Sequence, residues 1–293
     1  MKKLLLLGNT GQLGWEAQRV LGCLGDLVAL DYPDVDFSRP EGLRSLVAEI
    51  KPSVIYNAAA YTAVDRAESD WDRCRMINVE APAVLAEEAR KHRAVFVHVS
   101  TDYVFDGTKG SAYTEEDAVN PLSAYGRSKL ESEQAVAAAG GCWFTFRTSW
   151  VFSDRRDSFV SKVLEWAGKN PSLKIVDDQI SGPTWARSLA EATSMVLAQG
   201  GKEPYEELLE RSGLYHLAGW GWCSRKEWAE EILRLDSHPE LRQAKEVLGA
   251  KTAEFPAPAE RPLFSALECG KFERTFGLRL PDWKVGVRLA MGG

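Results

Sequence analysis

Metal-ligand and disulfide chemistry is scarce in this sequence. Its 293 residues include five scattered cysteines, Cys23, Cys74, Cys142, Cys223 and Cys269, and no Cys-x-x-Cys pair. An odd, dispersed set argues against a disulfide framework and suits reduced thiols in a cytoplasmic protein. The four histidines, His92, His98, His216 and His238, show no ligand spacing, and no metal is expected. Long apolar runs are missing too. Leu4 to Leu7 gives way at once to Gly8-Asn9-Thr10-Gly11, too short for the apolar part of a signal peptide or for a membrane span. Positive charge is in deficit: 36 Lys and Arg against 42 Asp and Glu leave a formal net charge of −6. That balance offers no attraction to nucleic acid or to an anionic membrane. An anionic substrate must instead meet a local basic group or a helix N-terminus.

What is present is a core and an alternation. Hydrophobic residues make up 45% of the chain and charged residues 27%, which supports a sizeable core and excludes disorder. Residues 2–7 read as a strand buried on both faces. A glycine turn follows, Gly8-Asn9-Thr10-Gly11-Gln12-Leu13-Gly14, and then a helix over 15–24. Strand, glycine turn and helix together form the context in which such a motif binds a dinucleotide. Glycine permits the tight turn and lets backbone N–H groups approach a pyrophosphate. A second strand over 27–30 ends in Asp31, placed to bond the adenine ribose hydroxyls of NAD and to repel a 2′-phosphate. Asp36-Phe37 comes next, and the ring either flanks the adenine or packs in the core.

A third strand over 53–57 runs into Ala58-Ala59-Ala60-Tyr61-Thr62, small residues against which a flat ligand can lie. A long helix is expected over 70–91, and a fourth strand over 94–99 that ends in Ser100-Thr101-Asp102. The helix after it, starting near Asn120-Pro121, carries Tyr125 and Lys129. Four residues apart, they share a helix face. A phenol beside a fixed positive charge is a plausible acid/base device, its pKa drawn down by the ammonium. A fifth strand covers 142–149, followed by Trp150. Beyond it the texture changes. Helices are expected over 157–168, 186–200, 224–235, 239–248, 270–276 and 283–291, with short strands at 173–176 and 214–217. The prediction is an α/β fold with a doubly wound parallel sheet of Rossmann type. Residues 1–150 form its dinucleotide-binding domain. Residues 151–293 form mainly a smaller mixed α/β substrate-binding region, with some segments returning to the core.

These stretches, with Asn57 to Asp65, Ser100 to Gly107, Arg147 to Phe152 and Gly182 to Arg187, resemble the extended short-chain dehydrogenase/reductase family along nearly the whole chain. Within it they are most similar to the branch that reduces dTDP-linked 4-keto sugars. The resemblance implies NADPH- or NADH-dependent reduction of the C4 keto group of dTDP-4-dehydro-L-rhamnose to dTDP-L-rhamnose. It makes Tyr125 the proton donor, Lys129 the holder of the nicotinamide ribose, and Thr101 a hydrogen-bond donor to the same oxygen. By the same matching, Gly8, Gly11, Gln12, Leu13 and Gly14 form the pyrophosphate turn. Asp31, Asp36 and Phe37 lie near the adenosine, and Ala60, Tyr61 and Thr62 near the nicotinamide half. Asp102 and Trp150 face the sugar nucleotide. The family commonly has His where Tyr61 stands. Some members bind magnesium at a dimer interface through glutamates; Glu16 is one participant of that kind, but it is read here as a solvated helix residue. A homodimer is a further expectation.

Two other readings compete. An epimerase or dehydratase of the same fold also keeps the Tyr and Lys, although Thr101 is followed by Asp102-Tyr103 rather than by the consecutive acids dehydratases often carry. A non-catalytic binding subunit related to the reductase could keep the nucleotide turn, but this chain retains Thr101, Tyr125 and Lys129 together.

Overall fold

The computed structural model describes residues 2–155 and 157–292. Among these, six strands form one sheet: β1 (Lys3–Leu7), β2 (Asp26–Leu30), β3 (Val54–Asn57), β4 (Val95–Thr101), β5 (Trp143–Thr148) and β6 (Gly213–His216). Their spatial order is β2-β1-β3-β4-β5-β6, and all neighbouring pairs are parallel. A parallel sheet must be covered on both faces. Period-two alternation supplies both surfaces. Leu4 and Leu6 enter one apolar cluster with Val54, Tyr56, Val95 and Val97. Leu5 and Leu7 enter the opposite one with Ile55 and Phe96. Burying each such leucine contributes about 1.5–3 kcal/mol.

Helices complete the layers. Gln12–Leu21, Ala186–Ala198 and Gly270–Phe276 cover the first face. Glu41–Ile50, Ala81–Lys91 and Ala124–Ala139 cover the second. The winding reverses where β1 lies between β2 and β3, and a crevice opens there at the carboxyl ends of the strands. Above that edge sits a third apolar cluster built around Trp228, with Phe152, Val163, Ile175, Trp283 and Val287. Helices Phe159–Lys169, Arg225–Leu235 and Trp283–Ala290 supply most of it.

Three local expectations are corrected. The long helix over 70–91 is interrupted: Trp71–Arg75 and Ala81–Lys91 flank a π-helical turn, Met76–Glu80. Pro82 has no N–H for the carbonyl four residues earlier, and the wider turn absorbs that loss. The helix expected over 239–248 is a 3-10 turn, Pro239–Leu241, followed by a strand, Val247–Ala250, that pairs in parallel with Leu173–Val176. Pairing with a strand edge, and packing of Ala244 and Val247 on the Trp228 cluster, outweigh helix propensity there. The helix that carries Tyr125 begins at Ala124 rather than near Asn120, because Ser123 caps it by accepting from the Gly126 N–H at 3.1 Å.

Candidate active site

A cavity of about 1180 Å³ opens along the carboxyl ends of β1, β3, β4 and β5. It exceeds the roughly 300–1,000 Å³ that usually holds one small ligand, so it has room for two reactants side by side.

Its nucleotide end is made mostly of backbone. Gly8 has φ of +85°, and a Cβ there would lie 2.6 Å from the Ala59 nitrogen. A Cβ on Gly14 would lie 2.0 Å from the Gly8 carbonyl oxygen. The turn and the close approach of helix to strand therefore both require glycine. Gly11 is the N-cap of Gln12–Leu21 and offers no side-chain cap, which leaves the first-turn N–H groups for an anion. Gly8, Gly11, Gln12 and Leu13 line the cavity. At its lip Asp31 accepts from the Thr10 N–H (3.1 Å), the Thr10 hydroxyl (2.5 Å) and the Tyr32 N–H (2.8 Å). Phe37 lines the cavity and also packs into the core beneath it. Ala60 and Thr62 line the wall next to β3.

The polar side chains at the centre come from two elements. Thr101 ends β4; Tyr125 and Lys129 lie one turn apart on Ala124–Ala139, and all three line the cavity. The Tyr125 hydroxyl and Thr101 face the same stretch of the cavity. Burial pushes the phenol above its ordinary value and outweighs the lowering by Thr101. Four residues along the same helix, Lys129 was expected to draw that pKa down. Burial dominates instead. It also brings the Lys129 ammonium down to about 8, and that ammonium lies 3.3 Å from His98 Nε2. Behind the helix, Asn78 holds the Tyr61 backbone by two hydrogen bonds, accepting at 2.7 Å and donating at 3.1 Å. It also donates to the Ser128 hydroxyl at 2.9 Å, and Ser128 donates to the Tyr125 carbonyl at 2.7 Å. Sequence reasoning missed Asn78. Its signal was indirect: Pro82, four residues on, forces the π-helical turn that presents it.

The other end is built from large side chains. Trp150, with φ of +41°, stacks on Trp228 at 5.6 Å, and the Arg225 guanidinium lies 3.6 Å from the Trp150 ring centre. Arg225 and Lys162 line the cavity, and among the described residues neither forms an ion pair with a carboxylate inside it. Burial lowers the Arg225 pKa, but a guanidinium stays charged at neutral pH. Neither residue was singled out from the sequence. Asp102 is 1% exposed and accepts hydroxyls from Thr101 (3.1 Å), Ser181 (3.0 Å) and Ser265 (2.5 Å). Burial raises its pKa to about 6.

Three of the anticipated residues stand outside the lining. Gly14 acts one layer behind it. The Asp36 carboxylate accepts from the Ser38 N–H and hydroxyl, at 3.0 and 2.6 Å. The Tyr61 hydroxyl donates to Asp70 at 3.0 Å. Glu16 is corrected: it is 2% exposed rather than solvated, and it accepts from Arg187 Nε at 2.9 Å. Among the described residues, no group of three or more His, Cys, Asp or Glu could hold a metal ion, and no helix is long and apolar enough to cross a membrane.

A doubly wound parallel sheet with a glycine turn and a crevice at its carboxyl edge is the architecture of Rossmann-type nucleotide-binding proteins. Comparison with known proteins narrows it. Residues 1–292 match the family described as RmlD substrate binding domain, and the chain belongs to that family. It is 43% identical over 292 residues to a dTDP-4-dehydrorhamnose reductase of Burkholderia thailandensis, covering 99% of this chain and 98% of that one. A crystal structure of a dTDP-4-dehydrorhamnose reductase from Clostridium acetobutylicum superposes with a TM-score of 0.90 at 35% identity, covering 99% and 98% of the two chains. The Bacillus anthracis dTDP-4-dehydrorhamnose reductase, solved in complex with NADP, superposes with a TM-score of 0.88 at 29% identity, again covering 99% and 98%.

Proposed function

We propose that this protein reduces the C4 keto group of dTDP-4-dehydro-L-rhamnose to dTDP-L-rhamnose with NADPH or NADH. The observation that carries this reading is the meeting of Thr101, Tyr125 and Lys129 in one cavity that is continuous with the glycine turn. The glycine turn and Asp31 suit a dinucleotide: one offers unpaired helix N–H groups, the other a fixed carboxylate for ribose hydroxyls. The bound reduced nicotinamide supplies the hydride that C4 receives.

The chain's own residues do the rest. Charge develops on the C4 oxygen as the hydride arrives, and donors already aimed at it lower the barrier. Tyr125, whose raised pKa keeps its proton at neutral pH, transfers that proton to the oxygen. Thr101, whose hydroxyl otherwise donates to Asp102 at 3.1 Å, turns that hydrogen to the same atom. Lys129 holds the nicotinamide ribose and supplies positive charge as the phenolate forms. Arg225 and Lys162 meet the diphosphate of the dTDP-sugar, which answers how a chain of net charge −6 accepts an anion. Trp150 offers an apolar face to the sugar, and Asp102 stiffens the same wall. We assign dinucleotide binding to residues 1–150 and most of substrate binding to 151–293. The expected partners are the dTDP-sugar and a second copy of the chain. Five free cysteines fit a reducing cytoplasm.

The test is direct. Enzymatically prepared dTDP-4-keto-6-deoxy sugar, the 3,5-epimerase, NADPH and the folded protein are mixed, and nicotinamide absorbance is followed. Oxidation that needs all four components is the expected result. A rate no higher than without the protein would sink the assignment.

A further inference from the structure

Behind the reacting end of the cavity lies a buried polar cluster that the steps above do not use. His98, on β4, is completely buried. Its Nδ1 lies 3.4 Å from Asn57 Nδ2. Its Nε2 lies 3.0 Å from Ser132 Oγ and 3.3 Å from Lys129 Nζ. A neutral imidazole carries one donor and one acceptor, and its neighbours decide which nitrogen is which. Asn57 Oδ1 accepts the Ala59 N–H at 3.2 Å. A backbone N–H needs an acceptor, so the amide must turn its NH₂ towards His98. Nδ1 therefore accepts, and the ring proton sits on Nε2. The Ser132 hydroxyl spends its own hydrogen on the Lys129 carbonyl at 2.7 Å, which leaves its lone pair for Nε2–H. The edge that His98 presents to the Lys129 ammonium thus has no lone pair to offer.

We propose that the Asn57–His98 pair is a positioning device for Lys129. By holding the Nε2–H tautomer it denies the ammonium a hydrogen bond on its inner side and turns the Nζ hydrogens towards the cavity. The proposal rests on the reading of Lys129 as the residue that serves the nicotinamide ribose and Tyr125. The other groups around Nζ do not replace the missing acceptor. Glu133, on the same helix, is engaged by Arg147 at 2.9 and 2.6 Å and by Ser100 at 2.5 Å. Cys74, on Trp71–Arg75, is kept as a neutral thiol by burial. Tyr125 lies one turn away on the cavity side. Burial and the charge of Lys129 hold His98 in its neutral form, and Lys129 itself is lowered to about 8 by burial, as suits an ammonium with little support from within.

The experiment is NMR on the full chain. Long-range nitrogen–proton spectra of the imidazoles report the His98 tautomer, and ¹³Cε-labelled lysine reports the Lys129 titration. In the wild type His98 is expected as the neutral Nε2–H form. Asn57→Asp keeps the shape but presents only acceptors. It is expected to move the proton to Nδ1, free the Nε2 lone pair for the ammonium, and raise the Lys129 titration by roughly one unit or more. The alkaline limb of kcat/KM should move with it. A wild-type His98 that is an Nδ1–H tautomer or an imidazolium overturns the proposal, even if the variant fails to fold. So does a folded variant whose Lys129 titrates as in the wild type. The spectra need no turnover, so a protein inactive on the dTDP-sugar would count against the reductase reading and leave this test standing.

Discussion

At one end of the cavity the wall is main chain and small residues: Gly8, Gly11 and Ala58 to Ala60. At the other it is Trp150, Arg225 and Trp228, with Asp102 tied down by three hydroxyls. The difference lies in what does the recognising. Backbone N–H groups point wherever the chain path sends them, so the nucleotide end depends on a few close approaches that admit no side chain. The substrate end depends on side chains held by stacking and burial. A dinucleotide common to many enzymes meets the first; a particular sugar nucleotide meets the second.

That contrast can be attacked at four points. The largest effect should come from Gly14→Val, whose side chain would begin 2.0 Å from the Gly8 carbonyl. Overpacking against backbone cannot be relieved by a rotamer change, so loss of the folded state, or of NADPH binding measured by nucleotide fluorescence, is expected. A folded variant with wild-type NADPH affinity would show that this end is not governed by backbone approach. Next, Tyr125→Phe should lower kcat by roughly 10²-fold or more through loss of the proton donor, with NADPH binding intact. A near-wild-type kcat would remove Tyr125 from that role. Third, Arg225→Ala should raise KM for the dTDP-sugar about 10- to 100-fold, the usual worth of a charged hydrogen bond, while KM for NADPH stays put. Equal effects on both would erase the division between the two ends. The smallest is a pH effect. Lys129 is charged below its folded pKa of about 8 and loses that charge above it, so kcat/KM should fall about fivefold between pH 8 and pH 9. A flat profile over that interval would show that the Lys129 charge does not contribute.

Much of the first end was legible along the chain, for a physical reason. The apolar run Leu4 to Leu7, the glycine spacing and Asp31 act within about 25 residues of one another, and local turn and strand chemistry dictates them. Tyr125 and Lys129 were legible because helix periodicity is local too. The second end was not. Arg225 meets Trp150 only because strand and helix pairings across 75 residues bring them together, and no spacing rule reaches that far. Asn78 was hidden because a helical pattern does not announce a π-helical turn. The direction of the Tyr125 shift was misjudged because spacing reports a charged neighbour but not the depth of burial, which here has the greater effect.

The sequence alone thus determined the parallel sheet, the nucleotide turn and the pairing of phenol with amine, all of which follow from contacts within a strand, a turn or a helix. The tertiary structure decided which cations face the substrate, which histidine edge meets Lys129, and that β6, from far along the chain, closes the sheet beside β5. Those outcomes depend on burial and on long-range packing, and both exist only once the whole chain has folded.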